Sequence, residues 1–201
     1  MKRVCVFCGS NVGLHPLYRE AAQTMGAALA RRNLGLVYGG GKVGLMGALA
    51  DAALAADGEV IGVIPDFLEA KEVGHRGLTE LRVVSSMHER KAMMAKLSDG
   101  FIALPGGYGT LEEFGEILTW AQLDLHRKPI GLLNVAGYYD ALLRLFDHAV
   151  DEQFLSPALR ALVLEESDPA RLLDALAAHE PRMADNWAGQ GERDARLSDR
   201  T

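Results

Sequence analysis

Short apolar runs rich in β-branched residues recur along this chain with amphipathic stretches between them, and no other feature limits its fold as strongly. The runs occupy 3–8, 35–38, 59–64, 81–84, 100–104, 129–133 and 162–164; the helical patterns fill 16–32, 45–56, 87–97, 111–123, 138–152 and 169–178. Strands that alternate with helices build βαβ units, which make the strands parallel and lay helices on both faces. The expected fold is α/β, a doubly wound parallel sheet in one domain spanning 1–180. Ligands of such sheets bind outside the carboxyl ends of the strands, so function is expected on that edge.

Composition agrees with one soluble unit. With 201 residues, 49% of them hydrophobic, the chain is long enough to bury a proper core. A formal charge of -6 argues against a general nucleic-acid binder, so any anion site must be local. No run approaches the roughly 18 apolar residues of a membrane span, and Met1-Lys2-Arg3 leads straight into a strand. A cytoplasmic protein is expected, touching neither membrane nor nucleic acid. From 181 to 201 the chain turns polar and is expected to be a flexible tail; 68–80 reads as an irregular stretch, a lid or a plain solvated loop. Cys5 and Cys8 have Cys-x-x-Cys spacing but fall within the first expected strand, with no second pair for zinc, so they read as core cysteines. The six histidines lack metal-ligand spacing, and neither metal nor cofactor is expected.

Three glycine turns follow three strands. The third, Pro105-Gly106-Gly107-Tyr108-Gly109-Thr110, is the most informative: its glycines let a ligand approach the backbone, and the free N–H groups of the following helix suit a phosphate. Leu111, Glu112 and Glu113 come next. Carboxylates beside an anion cradle would repel the ligand unless they grip sugar hydroxyls or activate water. Gly9-Ser10 could meet a phosphate or be a simple turn. Residues 39–44 match G-x-G-x-x-G, yet they follow the second strand, and Lys42 is followed by Val43, which excludes a Walker loop; these glycines, Gly39, Gly40 and Gly41 among them, are read as pocket wall. Ser86 and Glu89 have capping-box spacing and start a helix at Met87. Arg90 and Lys91 then oppose the helix dipole unless an anion compensates; the alternative is a solvated basic pair.

Together these segments resemble the LOG-type, Rossmann-like nucleotide phosphoribohydrolases, once labelled lysine decarboxylases, whose hallmark is P-G-G-x-G-T-x-x-E. The likeness runs from Phe7-Cys8-Gly9-Ser10 through Tyr38-Gly39-Gly40-Gly41, Met87 to Lys91 and Pro105 to Glu113, to Thr119-Trp120-Ala121-Gln122-Leu123. It implies cleavage of the N-glycosidic bond of nucleoside 5′-monophosphates, cytokinin riboside 5′-monophosphates and AMP among them, and assembly as a homodimer. It also implies that Arg90 and Glu113 are catalytic. Substrate contacts are expected from Glu72, Met87, Arg90, Lys91, Gly106, Gly107, Tyr108, Gly109, Thr110, Leu111, Glu112 and Thr119, although 69–76, around Glu72, departs from the family's Pro-rich, Thr-rich pattern.

The chemistry agrees with the resemblance. Breaking a base–ribose bond passes through an oxocarbenium-like state, which calls for negative charge near the ribose, an oriented water, and a cationic or hydrogen-bonding group for substrate or leaving base. A non-catalytic nucleotide sensor built on the same cradle is the alternative, but a sensor needs no acid there. The decarboxylase label lacks a pyridoxal-binding lysine context.

Overall fold

The computed structural model describes residues 1–72 and 74–180, and for residues 70–72 the backbone alone. In chain order the elements are β1 (Arg3–Phe7), α1 (Pro16–Arg31), β2 (Gly35–Tyr38), α2 (Gly44–Ala55), β3 (Val60–Pro65), α3 (Asp66–Glu72), β4 (Glu80–Val84), α4 (Met87–Leu97), β5 (Gly100–Ala103), α5 (Tyr108–Gln122), β6 (Ile130–Leu133), α6 (Asp140–Asp151), α7 (Pro157–Arg160), β7 (Val163–Glu166) and α8 (Pro169–Ala177). The seven strands form one sheet ordered β4-β3-β2-β1-β5-β6-β7, and every pairing is parallel.

Parallel strands covered on both faces need apolar residues at every position, and β1, β2, β3, β5 and β6 meet that demand almost throughout. Period-two alternation then divides β1 between two cores. Val4, Val6 and Cys8 join α1, α2 and α8 on one face; Cys5 and Phe7 join α4, α5 and α6 on the other. Both cysteines are free and buried, and burial raises both thiols far above their usual range. The outer strands β4 and β7 carry exposed charged residues, as sheet edges do.

The fold positions the site through its switch point. β1 lies between β2 and β5; the helix after β1 packs on one face of the sheet and the helix after β5 on the other, so the two loops part and leave a crevice. The loops are sewn together at its base: the Leu104 N–H donates to the Phe7 carbonyl (2.9 Å) and the Gly9 N–H to the Pro105 carbonyl (3.0 Å). Two tyrosines brace the turn from the β6–α6 side. Tyr139 donates its hydroxyl proton to the Leu104 carbonyl and Tyr138 to the Gly106 carbonyl, each at 2.6 Å.

Three expectations change. The stretch 68–80 is not irregular from its start, because α3 occupies Asp66–Glu72; two turns of mixed charge are too short for periodicity to reveal. The helix expected at 111 begins at Tyr108, so Gly109 and Thr110 belong to its first turn, where glycine costs little because those N–H groups have no intrahelical acceptor anyway. Tyr138 and Tyr139 precede α6 instead of opening it, after a short 3-10 turn at Val135–Gly137. The polar stretch from 181 onward lies outside the described residues.

Changing Tyr139 to Phe removes a buried hydroxyl and strands the Leu104 carbonyl, an effect of about 1–2 kcal/mol. Calorimetry should show the melting temperature falling by roughly 3–8 °C. An unchanged melting temperature would mean that this hydroxyl does not anchor the turn.

Candidate active site

Gly107 and the first two residues of α5, Tyr108 and Gly109, open onto a cleft of about 240 Å³ whose other walls include Gly9 and Ser10 after β1, Gly39 after β2, Leu68 of α3, Arg90 and Met94 of α4, and Thr110 and Glu113 of α5. Gly107 caps α5 without a side-chain bond. The N–H groups of Tyr108, Gly109 and Thr110 therefore have no partner within their helix and stand at its positive end. A Cβ added to Gly107 or Gly109 would meet no protein atom within 4 Å. Packing does not require glycine at either place, and both residues line the cleft.

Opposite this turn lies a buried ion pair. The α4 start is set by Ser86, which accepts from the Glu89 N–H (3.2 Å), while Glu89 in return accepts from the Ser85 N–H (2.9 Å) and hydroxyl (2.7 Å). The capping box forms, its return arm reaching one residue further back than the usual pattern. This aims Arg90 inward. Its Nε donates to the Val63 carbonyl (3.1 Å), in β3 one residue past the last pairing with β2, and its Nη2 to the Gly39 carbonyl (3.4 Å), just after β2, while its Nη1 lies 3.2 Å from Glu113 Oε1. A Cβ on Gly39 would stand 2.1 Å from Arg90 Nη2, so only glycine leaves room for the guanidinium. Glu113 is 8% exposed, and Arg90 and Lys91 are 9% and 8% exposed, which removes the alternative of a solvated basic pair. Burial raises the Glu113 carboxyl to about 7; Arg90 pulls in the opposite direction without cancelling it, and Glu112 adds to the rise.

The other predicted residues separate into three groups. Ser10, Gly9, Gly107, Tyr108, Gly109 and Thr110 line the cleft with the ion pair, Tyr108 being 94% exposed at the mouth. Met87 touches Arg90 from behind, its Sδ 3.9 Å from Nη1, and Gly106 sits under the turn. Lys91, Glu112, Leu111 and Thr119 do not line it: the Lys91 ammonium donates to Glu112 and to Glu116 (3.0 Å), Leu111 is exposed, and Thr119 is an exposed residue bonded to the Gly115 carbonyl of its own helix (2.8 Å). Gly40 and Gly41 turn away from the cleft, the Gly40 carbonyl accepting from the His75 N–H (3.0 Å) and Gly41 bridging to Gly74. Glu72 falls within α3, its side chain outside the described part.

Gly39, one of the glycines read as pocket wall, does line the cleft, directly after β2. Six further lining residues escaped the sequence reading: Val6, Phe7, Cys8, Met46, Leu68 and Met94 carry no signal, since apolar residues of this kind occur in any core. Among the described residues no group of three or more His, Cys, Asp or Glu could hold a metal ion, and no helix is long and apolar enough to cross a membrane.

Known proteins share the scaffold and, in some cases, about half of the sequence. The structure is similar to that of TM1055 (TM-score 0.69, 21% identity, covering 89% of this chain and 100% of that one) and to the molybdenum cofactor carrier protein of Chlamydomonas reinhardtii (TM-score 0.67, 20% identity, 89% and 99%), likenesses that concern the fold alone. A family model described as "Possible lysine decarboxylase" matches residues 46–176. The cytokinin riboside 5′-monophosphate phosphoribohydrolase LOG7 of Arabidopsis thaliana is 51% identical over 180 residues, 90% of this chain and 83% of the relative. The probable enzyme of the same description LOGL6 of Oryza sativa subsp. japonica is 51% identical over 181 residues, 90% and 72%. With half its residues shared over nine-tenths of its length, this chain belongs to the LOG family of cytokinin riboside 5′-monophosphate phosphoribohydrolases, within the group described as possible lysine decarboxylases.

Proposed function

We propose that this protein hydrolyses the N-glycosidic bond of cytokinin riboside 5′-monophosphates, and of AMP, releasing the free base and ribose 5-phosphate. One observation carries the reading: an uncapped helix start lined by glycine and a buried carboxyl–guanidinium pair face the same cleft. The 5′-phosphate lies on the N–H groups of 108–110, with Ser10 and Thr110 beside it. This places the ribose between the turn and Glu113.

Glu113 then serves the reaction centre. A carboxyl that titrates near neutrality is suited to take a proton from water, and once ionised it steadies positive charge growing on the sugar. As the water oxygen bonds to C1′ and the C1′–N bond breaks, that proton passes to Glu113, the departing base takes up a proton from solvent, and Glu113 returns its own to solvent before the next turnover. Arg90 holds the carboxylate in place and offers N–H groups to substrate or leaving base. A decarboxylase reading has no such support, because Lys91, the buried lysine nearest the cleft, is kept charged: burial draws its pKa down, but bonds from Glu112 and Glu116 more than offset this. A Schiff-base lysine needs the neutral amine. The enzyme acts as a homodimer, a reading supported by the exposed Leu125 and Leu145 and by an apolar groove beside α5, α6 and α7 that the exposed Phe154 lines.

Chromatography after incubation with AMP and with isopentenyladenosine monophosphate should show free base; nucleotide bound but uncut would favour a sensor. Glu113→Gln should lower turnover by about 10²-fold or more, and Arg90→Ala should bring a comparable loss; wild-type rates in either would remove that residue from the mechanism. Because burial raises the carboxyl, Glu113 is mostly protonated below pH 7 and cannot act as base, so kcat/KM should rise with pH along a limb centred near 7. A profile flat from pH 5.5 to 8.5 contradicts this. Gly109→Ala meets no protein atom and should leave the melting temperature unchanged or higher, while its methyl group obstructs the phosphate and raises KM about tenfold or more. Unaltered KM would place the phosphate elsewhere.

A further inference from the structure

Lys91 is as deeply buried as Arg90, at 8% exposed, yet it does not reach the cleft. Lysine ordinarily keeps its ammonium in water while its stem covers apolar surface. Here the head is held inside, donating to Glu112 and Glu116. These two carboxylates stand four residues apart on α5 and flank Glu113 along the helix, so three acids crowd one side of the element that carries the proposed catalytic group.

We propose that Lys91 is a positioning residue: by neutralising Glu112 and Glu116 it lets the neighbouring Glu113 ionise at neutral pH, and it acts on the reaction through that carboxylate instead of touching the substrate. The proposal rests on the reading of Glu113 as the catalytic carboxylate. The charged or titratable groups that face Glu113 are Arg90 and Lys91 from α4, Glu112 and Glu116 from α5, and Cys5 and Cys8 from β1. Burial keeps both thiols neutral, so the balance is set by two cations against two anions. Removing Lys91 takes away one favourable charge and releases both unfavourable ones.

The opposing reading makes Lys91 a staple between α4 and α5, or a ligand of the substrate phosphate. These separate in the pH dependence of kcat/KM, measured on the full-length protein with AMP. In Lys91→Met the acid limb should move up by about one unit or more, giving roughly a tenfold loss on the acid side that disappears once pH exceeds the displaced limb. Lys91→Arg, which keeps the charge, should hold the wild-type limb. Lys91→Met combined with Glu112→Gln and Glu116→Gln should return the limb to its wild-type position or below, because the anions that Lys91 offsets are gone. A limb that stays in place in Lys91→Met while melting temperature falls, or a KM raised equally at every pH, overturns the proposal. The two readings fail separately: wild-type turnover in Glu113→Gln would sink the catalytic assignment, whereas an inactive Glu113→Gln with an unmoved limb in Lys91→Met would sink only the role of Lys91.

Discussion

The contact between Arg90 and Glu113, 3.2 Å apart inside the sheet's carboxyl edge, is the interaction around which the site is built. Enclosing two charges is costly, and such a pair persists only where other partners satisfy it. Arg90 finds them in the Val63 and Gly39 carbonyls, which follow directly on the last β2–β3 pair, Tyr38 and Gly62. One guanidinium thus joins β2, β3 and α5. Glu113 has fewer partners, and its burial leaves it between the charged and neutral forms near pH 7. What is unfavourable for a purely structural carboxylate is useful for one that must exchange a proton.

The second half of the site follows from topology. The seam of hydrogen bonds between the β1 and β5 loops, braced by Tyr138 and Tyr139, holds the first turn of α5 open toward the crevice. Molecules as different as a molybdenum cofactor carrier share this scaffold at 20% identity, so the fold alone does not specify the chemistry. The distinction lies in side chains: a glycine at 39 that admits the guanidinium, an acid at 113 that meets it, and vacant space above Gly107 and Gly109.

Much of the scaffold was legible before any coordinates. Fully buried parallel strands read as continuous apolar runs, and each of the seven expected strands lies within two residues of its observed bounds at either end. The capping box at Ser86 and Glu89 marked the start of α4 at Met87 because a local hydrogen-bond pattern needs only local sequence. Where tertiary contacts decide, the reading failed: α3 is too short to show a period, and α5 runs through Gly109 because its first turn has no hydrogen bonds for glycine to weaken. The basic pair at 90 and 91 was open to two readings, since nothing in its own segment reveals that carboxylates on α5 cover it.

Sequence alone determined the α/β class, the parallel order of crossovers, the glycine-rich turn and the acids that follow it, because each rests on periodicity or on neighbours within a few residues. Only the tertiary structure decided that Arg90 faces Glu113 while Lys91 turns to Glu112 and Glu116, and that Gly39 borders the cleft where Gly40 and Gly41 do not. Adjacent residues on a helix point about 100° apart. Which direction meets a charge, a carbonyl or water depends on elements that fold onto it from elsewhere in the chain.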